Sequence, residues 1–161
     1  MVVVAIIGVL ATLAVYGVRK YVLEAKRGEA VGMLTQIRSA EEAYRDEKFD
    51  YLGRPDFTMW TPTSDPGGTK NGWDSGPADE MRTMFRQLGV TPDGPVEYSY
   101  AVVAGNINIP FPAIDMKLPT LPQPTGPYYI AMGKADLNND GQYTYAIAFS
   151  DGNNIQLDDN Y

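Results

Sequence analysis

The chain opens with MVVVAIIGVLATLAVYGV, eighteen residues without a charge, and Arg19 and Lys20 follow at once. Only Gly8, Thr12, Tyr16 and Gly17 interrupt the aliphatic run. A helix that is apolar on every side has no face to offer water and needs cover all round. At about 1.5 Å per residue the run reaches roughly 27 Å, just under the ~30 Å hydrocarbon thickness of a bilayer, so a few apolar residues upstream would complete a span. A secretory signal is the simpler alternative. It needs a basic leader before the run and a small-residue cleavage site after it, whereas here the run leads straight into RKYVLEAKR. The segment is therefore read as retained. Arg19, Lys20, Lys26 and Arg27 would hold the C-terminal side in the cytoplasm unless a more basic segment precedes the run.

All twelve prolines lie beyond residue 54. Proline costs a helix interior roughly 3 kcal/mol, so this asymmetry predicts one uninterrupted helix over residues 1 to about 48, roughly 70 Å long. Its character changes at Leu23. Residues 1–22 are expected to sit in a membrane or a filament core, and 23–161 to form the head. Ala30, Met33, Leu34, Ile37, Ala40 and Tyr44 recur at steps of three and four and make one face that packs on the head. Glu24, Arg27, Arg38, Glu41, Glu42 and Arg45 are placed mainly on other faces. Gly28 and Gly32, four apart, would admit a close neighbour as a packing notch.

After residue 54 the chain turns acidic, with thirteen Asp/Glu against five Lys/Arg. Clustered basic residues release counterions from a phosphate backbone, and this part has no such cluster, which argues against nucleic acid as a partner. Cysteine and histidine are absent, so disulfides, thiol chemistry and the side chain most used for proton transfer near neutrality are excluded. Residues 49–95 are rich in turn formers, with a short helix from about Pro77 to Leu88 whose Met81, Met84, Phe85 and Leu88 form an apolar stripe and whose stop is Gly89. Strands are expected at Val96–Ala104, Pro127–Leu137 and Gln142–Ser150, in an antiparallel sheet, with Asp140-Gly141 turning the last hairpin. The six prolines of 109–127 suit a stiff, extended surface connection. The fold class is thus α+β, a long N-terminal helix packed by its second half on an antiparallel sheet.

One stretch has a metal-ligand pattern. Asp136, Asn138, Asp140 and Gly141 form D-x-N-x-D-G, the start of a calcium loop that would continue with the Gln142 carbonyl and Thr144. Its twelfth position is Ile147 rather than a glutamate, and strands flank it, so Ca2+ and a plain polar hairpin turn both stand as readings. The eleven tyrosines fall mostly at alternate strand positions, where packing explains them. No nucleophile–base pattern or phosphate-binding glycine loop is present, and the adjacent pairs Glu41–Glu42 and Asp158–Asp159 suit solvated surface better than acid–base work.

The segment MVVVAIIGVLATLAVYGVRKYVLEAKRGEAVGMLTQIRSAEEAYRDE, above all VVVAIIGVLATLA and the later AEEAY, resembles the hallmark helix of the type IV pilin family over the first third of the chain. The resemblance implies a structural subunit and no enzyme. It would wait in the inner membrane, be extracted by an assembly machinery, and polymerise with copies of itself into an extracellular filament for adhesion or twitching. The implied core-forming residues are Val4, Ile7, Gly8, Leu10, Leu13, Tyr16 and Gly17. In the family a basic leader is cut before a phenylalanine and a glutamate follows a few residues later. The chain begins about where relatives continue past that glutamate, which implies several further residues upstream. Tyr16 stands where many relatives have a helix-breaking proline, and the C-terminal disulfide of well-studied relatives cannot form. Two alternatives are a pseudopilin of a type II secretion system, in which a calcium-dependent sheet loop has a place, and a membrane-anchored periplasmic binding module.

Overall fold

The computed structural model describes residues 2–76, 79–106, 124–152 and 154–158. Helix α1 runs unbroken over Val2–Lys48, followed by α2 (Glu80–Gln87), β1 (Ser99–Gly105), β2 (Tyr128–Ala135), β3 (Thr144–Phe149) and β4 (Gln156–Leu157). The strands form one antiparallel sheet in the order β1-β2-β3-β4, and α1 packs across β2 and β3. The α+β architecture matches the expectation. The proline-rich connection expected at 109–127 lies largely outside the described residues.

The buried stripe of α1 is Ala30, Met33, Leu34 and Ile37, in contact with a core that includes Ile130, Met132 and Ile147 of the sheet. Ala40 is partly buried against the same core. Two charged residues expected to face away are buried with it: Arg27 at 6% exposure and Glu41 at 0%. Helical spacing explains the correction, because 27, 30, 34, 37 and 41 follow steps of three and four and share one face. Backbone groups of the head meet both side chains. Arg27 Nη2 donates to the Asp158 carbonyl at 2.5 Å, and the Leu52 N–H donates to Glu41 Oε2 at 3.0 Å. Glu41 and Glu42 are accordingly no solvated pair. The notch expected at Gly28 and Gly32 is unused by this chain, since both glycines are exposed and a Cβ at either would meet open space.

Beyond α1 the chain runs back along the outer edge of β1. Arg54 exchanges backbone bonds with Val102 and Ala104, and Thr61 pairs with Tyr100 in both directions at 2.9 and 2.7 Å. The edge strand is thereby covered, which removes an unpaired ladder from solvent. The approach is close enough that a Cβ on Gly53 would lie 2.4 Å from the Ala104 nitrogen and 2.8 Å from the Ala104 Cβ. Neither neighbour is a flexible side-chain end, so Gly53→Ala must push the loop off the strand. We expect it to destabilise the head by about 2 kcal/mol, read as a lowered Tm in thermal melts.

Helix α2 begins later than the sequence suggests, at Glu80, because Asp79 caps it by accepting the Arg82 N–H at 2.8 Å. Pro77, the expected first-turn residue, lies outside the described residues. Met81 and Phe85 are buried as expected, with the Phe85 ring 5.3 Å from Trp73, and Gly89 takes the left-handed φ of 69° that ends the helix. Val96 bridges Asn71 rather than entering the ladder, so β1 starts at Ser99; β2 and β3 are likewise shorter than expected. The β2–β3 turn is not a two-residue one: it spans 136–143, with positive φ at Asn139 and Gly141. Strand β4 has no counterpart among the expected strands, since its two residues lack any alternation.

The sheet tyrosines serve as core, as their spacing suggests. Tyr98, Tyr100, Tyr128 and Tyr129 are at most 2% exposed, and Tyr51 meets Tyr129 edge-on at 4.8 Å. Burial pushes the Tyr98 phenol up to about 12.

Candidate functional site

The first half of α1 is the largest apolar surface among the described residues. An eighteen-residue window within it has a mean hydropathy of 2.2, and none of it is buried by the rest of the chain. Of the candidate core residues, Val4 and Tyr16 are each 71% exposed, Leu13 63%, and Ile7 and Leu10 59%. Gly8 and Gly17 have open space where a side chain would be. By length and composition this segment can cross a membrane. Besides the Tyr16 and Tyr21 phenols its one hydroxyl is satisfied internally, since Thr12 Oγ1 donates to the Val9 carbonyl at 2.7 Å. That bond lets the threonine enter an apolar medium without an orphaned donor. Single exposed aliphatic residues on a surface need no explanation, whereas a continuous apolar cylinder does.

Where this cylinder meets the head, charge replaces grease. Lys26 pairs with Glu97 at 3.0 Å and reaches the Leu137 carbonyl at 3.4 Å, while Arg27 bonds Glu24 at 3.4 Å. Glu29, one turn on, accepts the N–H groups of Glu97 at 2.7 Å and Tyr98 at 3.4 Å and pairs with Lys70 at 3.2 Å. Leu23 is the first α1 residue packed against the core. Between α1 and the β2–β3 turn lies a recess of about 370 Å3, lined by Val18, Val22, Leu23 and Leu137 and by the basic Arg19 and Lys26.

The D-x-N-x-D-G loop closes on itself. Asp136 accepts the Asp140 N–H on Oδ1 (3.1 Å) and the Gly141 N–H on Oδ2 (2.9 Å). Asn138 Oδ1 also accepts the Asp140 N–H, its Nδ2 donates to Asp140 Oδ2, and Asp140 Oδ1 accepts the Gln142 N–H at 2.8 Å. The fold thus gathers Asp136, Asn138, Asp140 and the Gln142 backbone at one turn. Thr144 is 2% exposed and opens β3 opposite Ala135; Ile147 sits in the core opposite Met132. Each carboxylate oxygen that accepts one N–H retains a lone pair, so the first half of a calcium shell is chemically feasible while its twelfth position supplies no oxygen.

Two polar side chains with structural weight escape sequence reading. Glu41 is fully buried, and its Oε1 finds no hydrogen-bond partner. Burial raises its carboxyl to about 8, with the Leu52 N–H opposing and the neighbouring Glu42 charge adding to the rise. Sealed from solvent, it anchors the loop after α1 to the helix rather than facing any cleft. The one signal for it was its place on the core stripe. Lys134, in mid-strand, lies 4.7 Å above the Trp60 ring and 4.6 Å from that of Tyr143 while donating to the Ser64 carbonyl at 2.7 Å. Desolvation lowers its ammonium, and the contact clamps the 57–65 loop on the sheet.

Comparison with known proteins finds no matching family model, no matching curated protein and no matching solved structure.

Proposed function

We propose that this chain is a non-enzymatic structural subunit of a type IV pilus, assembling through the apolar half of α1. One observation carries the reading: a cylinder of about 27 Å, apolar all round, that its own head leaves bare. Covering on the order of 1,000 Å2 of it contributes roughly 25 kcal/mol against water, and much less against lipid, from the usual value of about 25 cal/mol per Å2. A lipid bilayer and a bundle of identical helices are the two surroundings that meet this demand. The subunit therefore resides in the inner membrane before assembly and in an extracellular filament after it, and extraction requires an external motor. Contacts between unlike surfaces that do not close generate the open helix a filament needs. Electron microscopy of sheared cell-surface appendages, with mass spectrometry of their protein, tests the reading. Filaments made of this chain are expected; their absence in cells that express it overturns the proposal.

The Asp136, Asn138 and Asp140 oxygens gathered at one turn favour a second reading, a pseudopilin of a type II secretion system that takes Ca2+ there. Calcium titration decides it. A Tm rise that a chelator reverses assigns an ion to the loop, and an unchanged Tm assigns a turn closed by its own amides.

A further inference from the structure

Phe49, the residue after α1, is disfavoured twice where it stands. It is 85% exposed, and its backbone is left-handed, with φ of 61° and its N–H on the Arg45 carbonyl at 2.8 Å. Glycine or asparagine would close the helix in the same way, whereas a bulky side chain costs about 1 kcal/mol in this conformation. Local structure therefore gives no reason for a phenylalanine at this point. The knob is ringed by exposed charges of both signs: Lys48 is held by Glu47 at 2.6 Å and Arg45 by Glu42 at 3.7 Å, and Asp46 and Asp50, outside these ion pairs, leave the collar net acidic.

The recess at the other end of the head has the opposite character. Val18, Val22, Leu23 and Leu137 make it apolar, Arg19 and Lys26 line it, and Lys20 follows next in the chain. Lys26 is already engaged by Glu97, but Arg19 and Lys20 have no hydrogen-bond or ion-pair partner among the described residues. Apolar knob matches apolar recess, and acidic collar matches basic lining. Phe49 cannot reach the recess of its own chain, because Val22 and Phe49 are 27 residues apart along an unbroken helix, about 40 Å at 1.5 Å per residue.

We propose that Phe49 of one copy seats in the recess between α1 and the β2–β3 turn of the next copy. This rests on the filament reading and adds to it the contact between heads. The two surfaces differ, so the contact is head-to-tail and propagates without closing. It also fixes a distance: contacting copies are displaced along the helix direction by about 40 Å, the span between knob and recess.

The cysteine-free chain allows a direct test. Full-length Phe49→Cys/Val22→Cys protein is oxidised in sheared appendages and run without reductant. A ladder of trimers and longer species is expected, while each single variant stops at the dimer. Phe49→Cys combined with a cysteine at the exposed Gln36 should give no ladder. Filaments visible by electron microscopy without species beyond the dimer overturn the contact and leave the filament reading intact. Absence of filaments and of the ladder overturns both. As a second measurement, a filament reconstruction should show contacting copies offset by about 40 Å, and a markedly different offset between every contacting pair overturns the proposal.

Discussion

Leu10→Arg is expected to abolish filaments while leaving the head as stable as before. Leu10 is 59% exposed and lies in a segment that no part of the head covers, so the substitution touches nothing that holds the head together. Changes at such positions usually stay within about 0.5 kcal/mol. In the membrane, by contrast, an arginine near the middle of the span costs about 3 kcal/mol on insertion. Among packed apolar helices the penalty is larger, since a buried charge without a partner costs several kcal/mol and the fault recurs in every copy. Negative-stain microscopy of appendages reads the first effect and thermal melting the second, with Leu10→Ile as the variant that should retain filaments. Abundant filaments from Leu10→Arg would show that this half of α1 does not form their core.

The second large effect is a dependence on pH centred on Glu41. Its carboxyl is raised from 4.5 to about 8 in the folded chain, mainly by burial. Between these values the folded state keeps a proton that the unfolded state has released. Stability from this group is therefore fully present below pH 4.5, falls as pH rises toward 8, and is level above that. The whole change is about 5 kcal/mol. Glu41→Gln keeps the shape and an oxygen for the Leu52 N–H while removing the titration. Its Tm should equal that of the parent near pH 4.5 and exceed it by about 10 °C near pH 8, given a few degrees per kcal/mol for a domain of this size. Melts of the full chain in detergent across pH 4.5 to 9 check this, and parallel curves for the two proteins would refute it.

Regular, local patterns are legible in the chain of residues alone. The proline-free first 54 residues, the change of character at Leu23 and the stripe Ala30–Met33–Leu34–Ile37 specify α1 because helical periodicity is a property of neighbours in sequence. The strands around Tyr100, Ile130 and Ile147 are legible for the same reason, as is the Gly89 stop. The candidate assembly surface is visible as well, since eighteen uncharged residues announce their need for cover whatever the head does.

Other features depend on partners far along the chain. The burial of Arg27 and Glu41 follows from helical spacing but is tolerable because Asp158 and Leu52 bring backbone groups to them, and no local pattern announces those meetings. The same holds for Glu29 under Glu97 and Tyr98, for the cover of β1 by Arg54 and Thr61, and for the short β4. The Phe49 knob and its distant recess belong here too: the sequence shows a phenylalanine after a helix, whereas its left-handed backbone, its exposure and the charge around each end exist only in three dimensions. By itself the sequence determined a long two-natured helix on an antiparallel sheet and a surface that water cannot satisfy, because hydrophobic period and proline placement act over a few residues. Tertiary structure decided which polar groups could be buried and where unlike surfaces lie, because desolvation is offset only by groups that folding brings into contact.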